Sequence, residues 1–362
     1  MYKLTFTILI ALFSCIRAGE KNERIISNMA PRSHVYSINE ENGFLWFGTA
    51  CGAVRYNQVN ADITVYGEEE GLTGNYVFDV EFDDQGQAFA ATNVGIYCLK
   101  NGKWEQFVSS DSLPSHYITC ITRRADGAMW FGTAQGICVF DGGKWIKYTI
   151  DNSGIASQFI NELKFDAQGH LWIGGRHCLT EHFDDRWINY GFATSYPVLD
   201  LVMKDELVIM TTPLGVHIKD GNRWTTLEQT SGLSSKNVKA IAVSPDDNIF
   251  LGGQLGLITG LFKAGAISNQ KKIETHAAVE DLFIDSANRA WIATEAGVIY
   301  QGEDREWRTL DISNGLKKDK IVTLASDGAA LWAGAKNGLS IIWNNSCSPA
   351  KWENGDELLS TS

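Results

Sequence analysis

Apolar runs of four to six residues, broken by short turns rich in glycine, aspartate and asparagine, recur along most of the chain. One stretch shows the pattern well. Ile118 to Thr122, Ala128 to Thr133, Ile137 to Phe140 and Lys144 to Thr149 read as strands. Ala125-Asp126-Gly127, Ala134-Gln135-Gly136 and Asp141-Gly142-Gly143 read as the joints between them, because glycine reaches positive φ at little cost and aspartate bonds its own turn. Alternation inside the strands is imperfect, as in Met129-Trp130-Phe131-Gly132-Thr133. Strands covered on both faces lose the polar half of a two-residue period.

The pattern repeats. LWFGTACGA (45 to 53), FAATNVGI (89 to 96), MWFGTAQGI (129 to 137), LWIGGRHCL (171 to 179), VIMTTPLGV (208 to 216), FLGGQLGL (250 to 257), WIATEAGV (291 to 298) and LWAGAKNGL (331 to 339) align on one glycine, replaced once by Cys178. Successive copies are 37 to 43 residues apart. Trp104, Trp145, Trp187 and Trp224 each follow the aligned position by nine residues. A unit of four antiparallel strands has two apolar faces that only neighbouring copies can cover, and closing the row into a ring leaves no bare end. The expectation is an all-β fold, a β-propeller of eight four-stranded antiparallel blades, with seven as the alternative. Arg24 to Ser27 is placed to close the ring by pairing with the last blade, in competition with Lys351-Trp352.

One unit carries Leu113-Pro114-Ser115-His116, Asp126-Gly127, Trp130-Phe131-Gly132-Thr133, Gly136, Trp145 and Tyr148 in order. This combination resembles the two-component regulator propeller repeat, and the resemblance extends over about residues 23 to 352. It implies an extracytoplasmic, sensor-type propeller of the kind that senses glycans in bacterial hybrid histidine kinases. The residues given after Trp352 read as neither kinase, receiver nor DNA-binding segment, so a ligand-binding or interaction propeller is expected, without an output of its own.

Charge narrows the partners. With 31 basic against 43 acidic side chains the chain carries a net charge of −12, which disfavours a nucleic-acid face. Its 12 Trp, 17 Phe and 11 Tyr argue against disorder. Lys3 followed by the apolar run Leu4 to Ile16 reads as an export signal, too short to span a bilayer. The expected division is a signal peptide over 1–18, the propeller over 23–355 and a tail over 356–362. Leu12-Phe13-Ser14-Cys15 is similar to a bacterial lipoprotein box, which would lipidate Cys15; cleavage after Ala18 is the alternative. The expected location is accordingly the bacterial periplasm, or the outer membrane or cell surface as a lipoprotein. Cys51, Cys98, Cys120, Cys138, Cys178 and Cys347 would remain, and their spacing selects no pairing. Cys98, Cys120 and Cys138 sit among apolar neighbours and read as core.

The connections from the fourth strand to the next first strand, and from second to third, gather at one end of every blade. Immediately before the first strands stand His34, Tyr76, Tyr117, Phe159, Pro197, Asn237, Ala278 and Lys320. The first four would place rings along one side of a funnel. Asn75, Asn93, His116, Gln135, Gln158, Arg176 and His177 are neighbours able to hydrogen-bond. Rings offer platforms to the C–H faces of a sugar, and amides and imidazoles serve its hydroxyls. Tyr76, Tyr117, His116, Phe159, Asn93, Gln135, Arg176 and His177 are therefore the candidate ligand-binding residues, and an oligosaccharide or a protein the candidate partner. Packing of a loop collar without any ligand explains the same residues. A polysaccharide lyase or hydrolase is the enzymatic alternative, with His116, Tyr117, Arg176 and His177 as its acids and bases, and an envelope interaction scaffold is the third reading. Cofactor fingerprints are absent, so none is expected. His177, Cys178, Glu181, His182, Asp184 and Asp185 crowd ten residues of the fourth unit, but strand geometry turns His177 and His182 to opposite sides, so no metal is expected.

Overall fold

The structure, a computed structural model, describes residues 24–343 apart from 30–33, 61, 75, 109–111, 177, 191–195, 228–237, 255, 264–265, 312, 314–315, 317–319, 327–329 and 337. The described residues form eight antiparallel sheets of four strands each. Seven sheets are built from consecutive strands. In the eighth, Arg24–Met29 pairs with Gly338–Trp343, so the beginning of the chain closes the blade made by its end. Ring closure thus falls to Arg24–Met29; Trp352, its competitor, lies outside the described residues.

The first strands of the blades are Val35–Glu41, Val77–Phe82, Ile118–Arg123, Ile160–Phe165, Asp200–Lys204, Val238–Val243, Val279–Ile284 and Ile321–Ser326. Each packs against the first strand of the next blade, and the eighth against the first, so these strands line the central channel of an eight-bladed β-propeller.

The repeated residues hold the blades together. Trp46, Trp130 and Trp172 in second strands stack on Tyr66, Tyr148 and Tyr190 of fourth strands, with ring centroids 5.7, 5.7 and 5.9 Å apart. The next blade then presses an indole edge onto each pair: Trp104 lies 6.0 Å from Tyr66, Trp187 5.1 Å from Tyr148 and Trp224 5.1 Å from Tyr190. Burying one such indole contributes roughly 3 kcal/mol by area, which accounts for the tryptophan landmarks as scaffold. The glycine of the Trp-Phe-Gly-Thr run has a different task. A Cβ on Gly132 would stand 2.9 Å from Cγ2 of Ile160 at the start of the next inner strand, so only glycine admits the neighbouring blade this closely. At the following turn the Thr133 hydroxyl donates to the Gly136 carbonyl and accepts from the Gln135 amide, at 2.8 and 3.0 Å. The same bonds recur at Thr49, Thr92 and Thr294. These tight turns sit at one end of the propeller, together with the connections that lead into the inner strands.

Candidate functional site

Register along the inner strands explains how side chains reach that mouth. Pairing slips by one residue at the same place in seven blades: between Val35 and Ser37, Val77 and Asp79, Ile118 and Cys120, Ile160 and Glu162, Val238 and Ala240, Val279 and Asp281, and Ile321 and Thr323. A bulge leaves one residue unpaired and re-aims it. The residues so placed are Tyr36, Phe78, Thr119, Asn161, Lys239, Glu280 and Val322.

On one side of the mouth the outcome is an unbroken arc of rings over blades 1 to 4. His34 stacks on Tyr36 at 4.5 Å, and Tyr36 lies 6.4 Å from Tyr76 and 5.2 Å from Phe78. Phe78 approaches Tyr117 to 5.0 Å, Tyr117 is 6.5 Å from Phe159, and the Arg176 guanidinium caps Phe159 at 4.0 Å. Tyr76 and Tyr117 remain 44% and 40% exposed. Burial, with the charges of Lys336 and Lys320, holds the His34 imidazole below its ordinary pKa.

The other side is ionic. Lys239 bonds Glu280, and Lys320 lies 2.5 Å from Glu280 and 2.8 Å from Glu295. Between the two sides, next to Arg176, a cavity of about 470 Å³ is lined by Asn161, Arg176, Pro197, Val198 and Leu199.

The arc contains Tyr76, Tyr117 and Phe159, with Arg176 at its end. Asn93 sits behind it, its Oδ1 accepting the Tyr76 amide at 3.4 Å. His116 and Gln135 are exposed beside the arc and have no ring contact in it. His177, Asn75, Asn237 and Cys15 lie outside the described residues. Tyr36 and Phe78, which complete the arc, are not among the expected residues; each lies inside an inner strand, at the backbone bulge that turns it toward the mouth. The fourth-unit cluster spreads out: Glu181 is buried, its Oε1 2.8 Å from His170 Nδ1, whereas the His182 ring lies 4.1 Å from Trp187.

Residues 112–135 match the family profile described as Two component regulator propeller. The chain carries the two component regulator propeller repeat. A stretch of 172 residues is 27% identical to histidine kinase P4 of Formosa agariphila, covering 43% of this chain and 13% of the kinase. The match therefore spans a small part of that relative's length. In fold the chain is similar to the computationally designed Ika8 protein, with a TM-score of 0.65 and 15% identity over 89% of this chain and 100% of that one. It is also similar to an inactive form of virginiamycin B lyase from Staphylococcus aureus solved with quinupristin, with a TM-score of 0.55 and 15% identity over 89% of this chain and 98% of the lyase.

Below the mouth, the residue after the bulge is an acid in three blades, Asp79, Glu162 and Asp281, and blade 5, whose described pairs show no slip, carries Asp200 at the same point of the repeat. Asp79 bonds the amides of Val80 and Ile121 at 2.9 and 3.1 Å, and Asp200 those of Leu201 and Ile241 at 2.7 and 2.9 Å. Glu162 instead pairs with Lys164 at 2.6 Å. Burial pushes the Glu162 carboxyl up to about 7 and that of Asp281 up to about 6. A readable signal marks the aspartates, since Val77-Phe78-Asp79-Val80, Val198-Leu199-Asp200-Leu201 and Val279-Glu280-Asp281-Leu282 align as valine, any residue, aspartate and an aliphatic residue at one point of the repeat.

Proposed function

We propose that this propeller is exported and binds an oligosaccharide without chemical conversion, through the mouth above blades 1 to 4, as the ligand-binding module of a sensor does. The observation that carries the reading is the continuous run of rings from His34 to Phe159, held on four adjacent blades with Tyr76 and Tyr117 open to water. Such a run matches successive sugar rings, whose C–H faces stack on aromatic platforms. Asn93, Gln135, His116 and Arg176 stand close by as donors and acceptors for hydroxyls. The sensor comparison is supported by the repeat at residues 112–135 and by the histidine kinase match. Export is supported by the apolar leader Leu4 to Ile16, and lipid anchoring at Cys15 by the sequence before it. The test is an array of bacterial, algal and plant oligosaccharides probed with the purified protein, with the bound sugars then analysed for cleavage. Retention of intact oligosaccharide is expected. A blank array, or sugars released as shortened or unsaturated products, would sink the reading.

A further inference from the structure

The two sides of the mouth differ in charge balance as well as in rings. Over blades 6 to 8 the cations Lys239 and Lys320 are matched by Glu280 and Glu295. Over blades 1 to 4, none of the residues entering the inner strands, none of the bulged residues and none of the described turn residues between second and third strands is a carboxylate. The acidic run Glu68-Glu69-Glu70 lies away from the arc, because the Glu70 carbonyl accepts the amide of Trp104 in the outermost strand of blade 2.

Two cations flank this side instead. Arg176 stands at the blade 4 end. Lys336 stands near His34 at the other end, its amide donating to the Lys320 carbonyl at 3.0 Å. Among the described residues neither Arg176 nor Lys336 has an acidic partner within ion-pair distance. In a chain of net charge −12, cations left unmatched on both sides of an exposed ring arc create a local field that favours an anion.

The Arg176 end is also shaped to receive one. With a face on Phe159 at 4.0 Å, the guanidinium is held in place while its in-plane N–H groups stay available for the two parallel bonds that a carboxylate accepts. The 470 Å³ cavity beside it is walled by Pro197, Val198 and Leu199 and bordered by Asn161. Asn161 Nδ2 donates to the Gly175 and Val198 carbonyls at 3.4 and 3.3 Å, leaving its Oδ1 as an acceptor for a hydroxyl. A cation, an amide oxygen and an apolar wall in a space of this size suit one sugar ring bearing an acid group.

We propose that the oligosaccharide bound at this mouth is acidic, with a uronate carboxylate held by Arg176 in the cavity between blades 4 and 5 and the remaining sugar rings stacked along the arc from Tyr117 to Tyr36. This rests on the glycan-binding reading above.

The test titrates the full chain with a panel of uronate oligosaccharides, their carboxyl-reduced counterparts and sulfated neutral oligosaccharides, using wild type, Arg176→Ala and Arg176→Lys. Arg176 is exposed, so the variants should fold, and circular dichroism is the check. The expected result is uronate binding by wild type that weakens with salt, a fall of roughly ten- to a hundredfold in Arg176→Ala, and partial recovery in Arg176→Lys. Affinity for any carboxyl-reduced form that binds should stay within about twofold across the variants on this account. Equal losses for acidic and reduced forms, equal wild-type affinity for both, or preference for sulfated over uronate sugars overturns the acidic-sugar proposal while leaving the arc a glycan site. Binding of neutral sugars alone does the same. No binding to any glycan overturns both readings.

Discussion

The carboxylate of Asp281 in blade 7 accepts the backbone amide of Leu324 in blade 8 at 2.8 Å, while its other oxygen accepts the amide of Leu282 at 2.8 Å. Asp79 and Asp200 make the same pair of bonds into blades 3 and 6. Each of these aspartates ties one inner strand to the next. Asp281→Ala leaves two amides without their acceptor, and the expected loss of stability is about 2–3 kcal/mol, read as a fall in the urea midpoint. Asp281→Asn keeps one acceptor oxygen and should lose less. An unchanged midpoint for the alanine variant would show that the bonds are replaced by water at no cost.

The same acids set a pH dependence. Burial raises Asp281 to about 6 and Glu162 to about 7, so between roughly pH 4 and pH 7 the folded protein holds more protons at these sites than the unfolded chain does. Stability from these groups is greatest below their ordinary carboxylate values and falls as pH rises through that window. Asp281→Asn removes one titrating group and should flatten the decline by about 1–3 kcal/mol. Denaturation curves at half-unit pH steps check this, and a steeper decline in the variant would contradict it.

Close approach of the blades predicts a steric effect. A Cβ at Gly132 would lie 2.6 Å from Cys120 Sγ as well as 2.9 Å from Ile160. Gly132→Val should therefore destabilise by about 1–3 kcal/mol through overpacking, seen as a lower Tm. A Tm equal to wild type would mean that the blades part without cost.

Much of this architecture is legible in the sequence because each unit is short and its landmarks serve local needs. Gly136 reads as a turn residue and sits at φ +125° with the Tyr148 carbonyl where a Cβ would go. Trp130 reads as scaffold and stacks on Tyr148. The rings before the inner strands are legible for a similar reason, since a fixed offset in the repeat means a fixed height in the ring. Tyr36 and Phe78 escape because strand periodicity cannot foresee a bulge that turns one residue toward the axis. The mutual neutralisation of Lys320, Glu280 and Glu295 escapes too, since 25 residues of sequence separate Glu295 from Lys320 and only the packing of blade 8 against blade 7 brings these charges together.

Thiol reactivity offers a probe of the mouth. Cys51 is exposed at the turn between second and third strands of blade 1, whereas Cys98, Cys138 and Cys178 are buried. Burial also pushes the Cys98 thiol up to about 11 and that of Cys120 up to about 12, and thiolate is the reactive form. Of these five, Cys51 alone should be alkylated quickly in the native protein, and a bound oligosaccharide should slow it. Peptide mapping by mass spectrometry reads both effects. Labelling of Cys138 at the rate of Cys51 would contradict the buried position.

The most direct test of the ring arc is calorimetric titration with an oligosaccharide retained on the array, comparing wild type with Tyr76→Ala/Tyr117→Ala and with Lys144→Ala, an exposed change at the opposite end of blade 3. Aromatic rings that stack on nucleobases contribute roughly 1–3 kcal/mol each on substitution; on that scale the double variant should lose at least about tenfold in affinity, with Lys144→Ala unchanged and both variants folded. Equal affinity for wild type and the double variant would contradict the assignment of the ligand to this arc.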